Sequence, residues 1–251
     1  MIAKASMLVF LCAGIVQGQT VPAEKLTPAR LASAVKTYLR DSAELPMRIR
    51  VESTATDLSG RVRGHKTGNV DYDFHGYNPR SQRGGANVHG GWGVSRVAAK
   101  TAATLSLSSI FLMSALSPDA VGQYTFTVTE ATEIDGVLSA AFKPIPSCDP
   151  FKWSAKEQSI ESACGSSEFR LRKDDLDLKR YSFDQLGLPV SAVVEPFGQC
   201  TITGYHFDVD FQKVFLPGDP KPFLVPGQAT ATLTTDKGRI VMSGSYKVKK
   251  K

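Results

Sequence analysis

Beyond its first residues, the chain has no apolar run that reaches the roughly 20 residues a bilayer-spanning helix needs. Cysteine is scarce, with four in 251 residues. No C-x-x-C and no Cys/His pair at ligand spacing occurs, which argues against a structural zinc framework. No G-x-S-x-G elbow is present, so an α/β-hydrolase nucleophile is not expected. The glycines at 84–93 precede no Lys-Ser or Lys-Thr and follow no strand-to-helix pattern, so no phosphate-cradling loop is expected. Basic residues do not alternate with aromatics on a single face, which gives nucleic-acid binding little support. These gaps together point away from an enzyme and away from any cofactor.

What is present begins with an export signal. Met1-Ile2-Ala3-Lys4 is a short basic start, Ala5 to Val16 is apolar, and Gln17-Gly18-Gln19 turns polar. Val16 and Gly18 suit the −3 and −1 positions of a signal peptidase site, so cleavage is expected after residue 18. Cys12 follows bulky Leu11 and reads as part of the discarded segment, not as a lipid-modified cysteine. The mature chain, 19–251, then works in the periplasm or outside the cell as one domain, a length ordinary for a β-rich fold. Its charge is one unit below the formal +6 of the full sequence, because Lys4 is lost. The Lys247, Lys249, Lys250 and Lys251 cluster reads as a solubilising terminus. In an oxidising compartment Cys148 and Cys164 are the first choice for a disulfide, with Cys164–Cys200 the alternative.

The pattern along the mature chain is mostly that of strands. Thr27-Pro28 supplies an N-cap and a first-turn proline, and Leu31, Val35, Tyr38 and Leu39 recur at helical spacing up to about Asp41. From Met47 the period becomes two, with Met47, Ile49, Val51 and Ala55 on one face. Asp57-Leu58-Ser59-Gly60 turns the chain, and Val62, Gly64, Gly68, Val70, Tyr72 and Phe74 return on one face. His75 to Trp92 lacks periodicity and reads as a long loop. Val94 to Leu116 reads as a second, strongly apolar helix. Further alternating pairs run through Tyr124–Val128, Val137–Lys143, Phe169–Phe183, Thr201–Phe211 and Gln228–Tyr246. About nine strands and two helices imply an α+β fold: a long antiparallel sheet curled into an incomplete β-barrel and covered by two helices.

Three groups of residues invite a chemical reading. His89-Gly90-Gly91 has the look of an oxyanion tripeptide, but without a nucleophile it is simply a flexible loop. Asp71, Asp73 and His75, and again His206, Asp208 and Asp210, stand at i, i+2, i+4 on strands, where neighbours share a face. Were the two strands adjacent, a hard cation could sit between them. The plain polar face of an alternating strand gives the same pattern, and no metal is expected. Asp174, Asp175 and Asp177 read as turn and edge-strand residues.

The order of elements resembles the LolA/LolB/LppX-like group of bacterial envelope proteins. The resemblance rests on the signal peptide, the first helix, the hairpin Met47–Phe74, and Tyr124–Phe142 with Ile134-Asp135-Gly136. Glu168–Tyr181 and Val209–Tyr246 with Phe215-Leu216-Pro217-Gly218 complete it. It covers most of the mature chain as a pattern, without a specific motif. It implies a half-barrel around an apolar cavity for a lipid, an acyl chain or an envelope lipoprotein carrying one. Ile49, Val51, Val70, Tyr72, Phe74, Tyr124, Phe126, Val128, Tyr205 and Phe207 would then line the cavity, with Leu105 and Phe111 on a helical lid. A strand arginine would hold that lid, with Arg48, Arg50 and Arg63 as candidates. The expected product is a monomeric, non-catalytic binding protein. The alternative is a structural or interaction module of the envelope in which the same residues form a filled core.

Overall fold

The computed structural model describes residues 25–43, 45–78, 83–89, 123–130, 136–145, 152–156, 159–162 and 165–248. The expected signal peptide, Cys148, Cys164 and the second helix with Leu105 and Phe111 lie outside these residues. Among the described residues there is one helix, α1 (Pro28–Ala43). It starts where the sequence places it, since the Thr27 hydroxyl accepts a hydrogen bond from the Arg30 amide at 3.2 Å. Leu31, Ala32 and Val35 form its buried face.

The strands follow in order. The first hairpin is β1 (Pro46–Asp57) and β2 (Val62–Asn78), and β3 (Arg83–His89) pairs back on β2. Then come β4 (Tyr124–Glu130), β5 (Val137–Pro144), the short pair β6 (Lys152–Ser154) and β7 (Ser159–Ser162), β8 (Gly165–Arg172) and β9 (Leu178–Gln185). The chain ends with β10 (Val190–Val194), β11 (Gly198–Val214), β12 (Phe223–Thr235) and β13 (Gly238–Val248).

All but β6 and β7 join one sheet in the order β3-β2-β1-β13-β12-β11-β9-β8-β5-β4, with β10 also on β11. Every recorded pairing is antiparallel. β3 and β4 end the path and do not pair with each other, so the sheet is open. The architecture is therefore a long antiparallel sheet that does not close, with α1 against β2 and β12. The small β6–β7 hairpin leans on β10, where the Trp153 indole donates to the Val193 carbonyl at 3.3 Å.

Two expectations need correction. The segment read as a loop from His75 to Trp92 contains the end of β2 and all of β3, paired from Asp71↔His89 to Asn78↔Arg83. A terminal strand has a partner on one side only and needs no apolar alternation, so its sequence can look like a loop. Val62, expected inward, is 56% exposed. A register shift at Ala55/Thr56 leaves Val62 opposite Thr56, past the end of the core.

Candidate functional site

Residues at alternate positions of the strands converge on one apolar face. From β1 and β13 come Met47, Ile49, Val51 and Ala55 with Ile240, Met242 and Tyr246, and from β12 Ala229, Ala231 and Leu233. The pairings Ile49↔Tyr246, Ala231↔Met242, Phe207↔Ala231 and Phe207↔Phe183 carry this face across the sheet without a break. Burial of so many apolar side chains on one face is the main force holding the sheet to its covering elements.

On the β4 side the face becomes aromatic. Phe126 stands opposite Phe142, and Phe169 opposite Tyr181. Ring centroids follow one another at 4.8 Å from Phe126 to Phe142, 5.8 Å to Phe169, 4.9 Å to Tyr181 and 6.3 Å to Phe207. Such tilted and edge-on pairs each add about 0.5–1.5 kcal/mol beyond the area they bury. Phe142, Phe169, Tyr181 and Phe207 are buried, whereas Tyr124, Phe126 and Val128 on β4 are only half-buried. The apolar face is thus closed at its centre and partly open along its last strand.

Two hydroxyl groups lie inside this row. Burial pushes the Tyr181 phenol well above its usual range, and the Ser167 side chain faces it. Neither hydroxyl makes a hydrogen bond of good geometry among the described residues. Burial likewise raises the phenols of Tyr205 and Tyr246. Ionised phenolate is excluded from this environment.

The residues expected to line a cavity divide accordingly. Ile49, Val51, Tyr205 and Phe207 are 0–3% exposed and belong to the continuous core. Tyr124, Phe126 and Val128 form the half-open rim. Val70, Tyr72 and Phe74 lie on β2, where only their backbone pairing is described, with Val70 opposite Ile49 and Tyr72 opposite Met47. The arginine candidates do not reach the apolar face. Arg48 and Arg50 alternate with buried Met47, Ile49 and Val51 and are exposed. Arg63 is bound to Asp57, Nε to Oδ2, at 2.7 Å.

The opposite face is polar. Its best-defined feature is a chain of ionic contacts across β9 and β11. His206 Nδ1 is 2.6 Å from Asp184 Oδ1, and Nε2 is 2.5 Å from Asp208 Oδ2. Arg180 then holds Asp208 at 2.9 Å and approaches Asp210 at 3.9 Å. Partial burial pulls the imidazole pKa down, but its bonds to Asp184 and Asp208 outweigh this and raise it above 6.5. His206, Asp208 and Asp210 are therefore engaged with each other's neighbours. They also lie far from Asp71, Asp73 and His75, because β1, β13 and β12 stand between β2 and β11. Among the described residues no group of three potential ligands is placed to hold a metal ion. A shallow trough of about 310 Å³ lies on this face between Arg50, Glu52, Gln228, Thr230, Ser243 and Ser245.

At the β8–β9 turn Arg172 binds Asp174 at 2.6 Å, and Lys213 reaches Asp175 at 3.2 Å and also Asp177. The three aspartates lie at the turn and are held there by cations. Cys200, opposite Ala192, is buried with a free thiol that burial pushes up. Sequence reasoning missed the β4 rim as a distinct place, because periodicity assigns a face but not the degree to which it is covered.

No protein-family model matches the chain, and no curated protein matches it. Among solved structures the chain is similar to a LolA superfamily protein from Nitrosomonas europaea, at 11% identity and a TM-score of 0.33. The alignment covers 85% of this chain and 91% of that one. The open antiparallel sheet described above is read from strand pairing alone and does not depend on that likeness.

Proposed function

We propose that the protein is a non-catalytic carrier, exported to the periplasm or beyond, that holds a lipid or acyl chain against the β4 side of its apolar face. The observation that supports this reading is the gradient of burial along one aromatic row. Phe207, Tyr181, Phe169 and Phe142 are closed, while Phe126, Tyr124 and Val128 stay half open. A hydrocarbon chain laid along that rim would gain roughly 25 cal/mol for each Å² it buries, or about 0.8 kcal/mol per methylene. Part of that gain is lost to ordering the chain, so only a ligand with several buried methylenes binds usefully. The rim needs no charged partner to do this.

The test is native mass spectrometry of protein isolated from the exporting cell without detergent, followed by lipid extraction. A stoichiometric added mass that extracts as lipid, and that is lost in Phe126→Asp with the circular dichroism unchanged, supports the carrier. A clean apo mass with no uptake of added palmitate or phosphatidylglycerol overturns it. The second reading, an interaction module of the envelope, draws on the four expected cavity residues that are closed core: Ile49, Val51, Tyr205 and Phe207. The apo result favours it.

A further inference from the structure

We infer that one end of the sheet is a docking surface for anionic lipid headgroups, built from two adjacent hairpin tips. The inference is independent of the carrier reading, since it concerns residues outside the apolar face. The first tip is the β1–β2 turn, where Leu58 is 78% exposed and Val62 is 56% exposed. The second is the β12–β13 turn. It stands directly beside the first, because Asp57 is paired with Gly238 and Thr56 with Arg239.

Cations share these tips with the two apolar side chains. Arg61, Arg63, Lys237 and Arg239 are all exposed on these tips. The nearest carboxylates are engaged within the fold, Asp57 fully and Asp236 by one bond. Asp57 accepts from the Ser59 amide at 3.0 Å, the Ser59 hydroxyl at 2.6 Å, the Arg61 amide at 3.0 Å and Arg63 at 2.7 Å. Asp236 accepts from the Thr201 amide at 2.8 Å. Glu195, on the neighbouring β10–β11 turn, is the one further carboxylate on these turns.

Asp57 thereby ties the turn into a single conformation, so Leu58 and Val62 are presented with little ordering left to lose. Lys237 is anchored in the same way, with its ammonium donating to the Phe197 carbonyl at 3.3 Å. Apolar side chains that enter the headgroup layer, beside cations that meet phosphate, are the ordinary chemistry of a peripheral lipid contact. A protein partner would more often show aromatic anchors than an isolated Leu and Val amid cations.

The experiment is co-sedimentation of the full mature chain with phosphatidylcholine vesicles, with and without phosphatidylglycerol. Binding is expected only when phosphatidylglycerol is present, and it should weaken with salt. Leu58→Asp/Val62→Asp and, separately, Arg61→Glu/Arg239→Glu should each reduce binding about tenfold or more. These side chains are exposed, so circular dichroism should be unchanged. Phe215→Asp, at the opposite end of the sheet, should bind like the parent protein. Replacing Lys249, Lys250 and Lys251 with Gln should also leave binding intact. Equal binding to pure phosphatidylcholine, loss through the lysine tail alone, tip variants that bind normally, or no binding to either vesicle would each overturn the inference. The last outcome would turn attention to a protein partner.

Discussion

Four glycines separate two costs that are usually mixed, and Gly238→Ala is the decisive substitution among them. At Gly238 φ is +153°, and an added Cβ would lie 2.2 Å from the Thr56 carbonyl oxygen, 2.8 Å from Asp57 Cα and 2.9 Å from the Phe197 ring. The backbone conformation alone costs an L-residue about 1–3 kcal/mol. The clash forces β1 from β13 at their paired ends, an overpacking cost of about 1–3 kcal/mol more. The expected loss is then roughly 2–6 kcal/mol, a large part of the 5–15 kcal/mol typical of a folded domain. Gly165→Ala has only the clash, at 2.1 Å from the Asp184 carbonyl oxygen, and Gly218→Ala only the backbone cost, at φ +90° in open space. Gly204→Ala has neither, with its nearest neighbour at an ordinary 3.5 Å. Urea denaturation of the four variants should rank Gly238 as most costly, Gly165 and Gly218 as intermediate, and Gly204 within about 0.5 kcal/mol of the parent. A Gly238→Ala midpoint indistinguishable from that of Gly204→Ala would refute the close approach of the β1–β2 and β12–β13 tips.

Three further outcomes are expected. The folded pKa of His206 is raised, so its proton stabilises the native state below about pH 6.5 and this gain is lost as pH rises through the folded value. Stability measured by urea midpoints should fall through that window, and His206→Gln should flatten the fall; a parent curve already flat there would contradict the ionic row. Asp57 shows the opposite sign: its pKa is lowered to about 2, chiefly by the Ser59 hydroxyl, so its contribution is present above about pH 3.8 and lost on acidification. Asp57→Asn should make the acid transition less steep, monitored by tryptophan emission. Tyr181→Phe combined with Ser167→Ala removes two buried hydroxyls that make no good hydrogen bond among the described residues, so stability should hold or rise. A loss beyond about 2 kcal/mol would show that they are satisfied.

Much of this architecture is written in alternation. Met47, Ile49, Val51 and Ala55 alternate and are buried, and Thr27-Pro28 marks where the helix begins. The four strands beyond the expected nine hide for particular reasons. β3 is rich in Gly, Asn and Arg at a sheet edge, β10 is five residues between prolines, and β6 and β7 are three and four residues long. The first half of β12 was obscured by Pro226-Gly227. A register shift at Asp210/Phe211 admits that proline, which sits opposite Phe211. The site was less legible than the fold. Tyr205 and Phe126 have the same pattern in sequence, yet one is core and the other rim, because that difference depends on which strands end the sheet. Strand order places three strands between the two Asp/His sets, a separation that their spacing in the sequence does not carry.

One edge of β11 serves two neighbours end to end: β10 at Gly198–Ile202 and β9 at His206–Asp210. The quartet β9-β8-β5-β4 is therefore stitched to the rest of the sheet through five register positions, against eleven between β1 and β13. In mechanical terms this is the seam of the molecule. It is riveted outside by Asp184, His206, Asp208 and Arg180, and inside by Tyr181 against Phe207. Tension applied across the strands would load these five positions together with the ionic and aromatic contacts on either side of them.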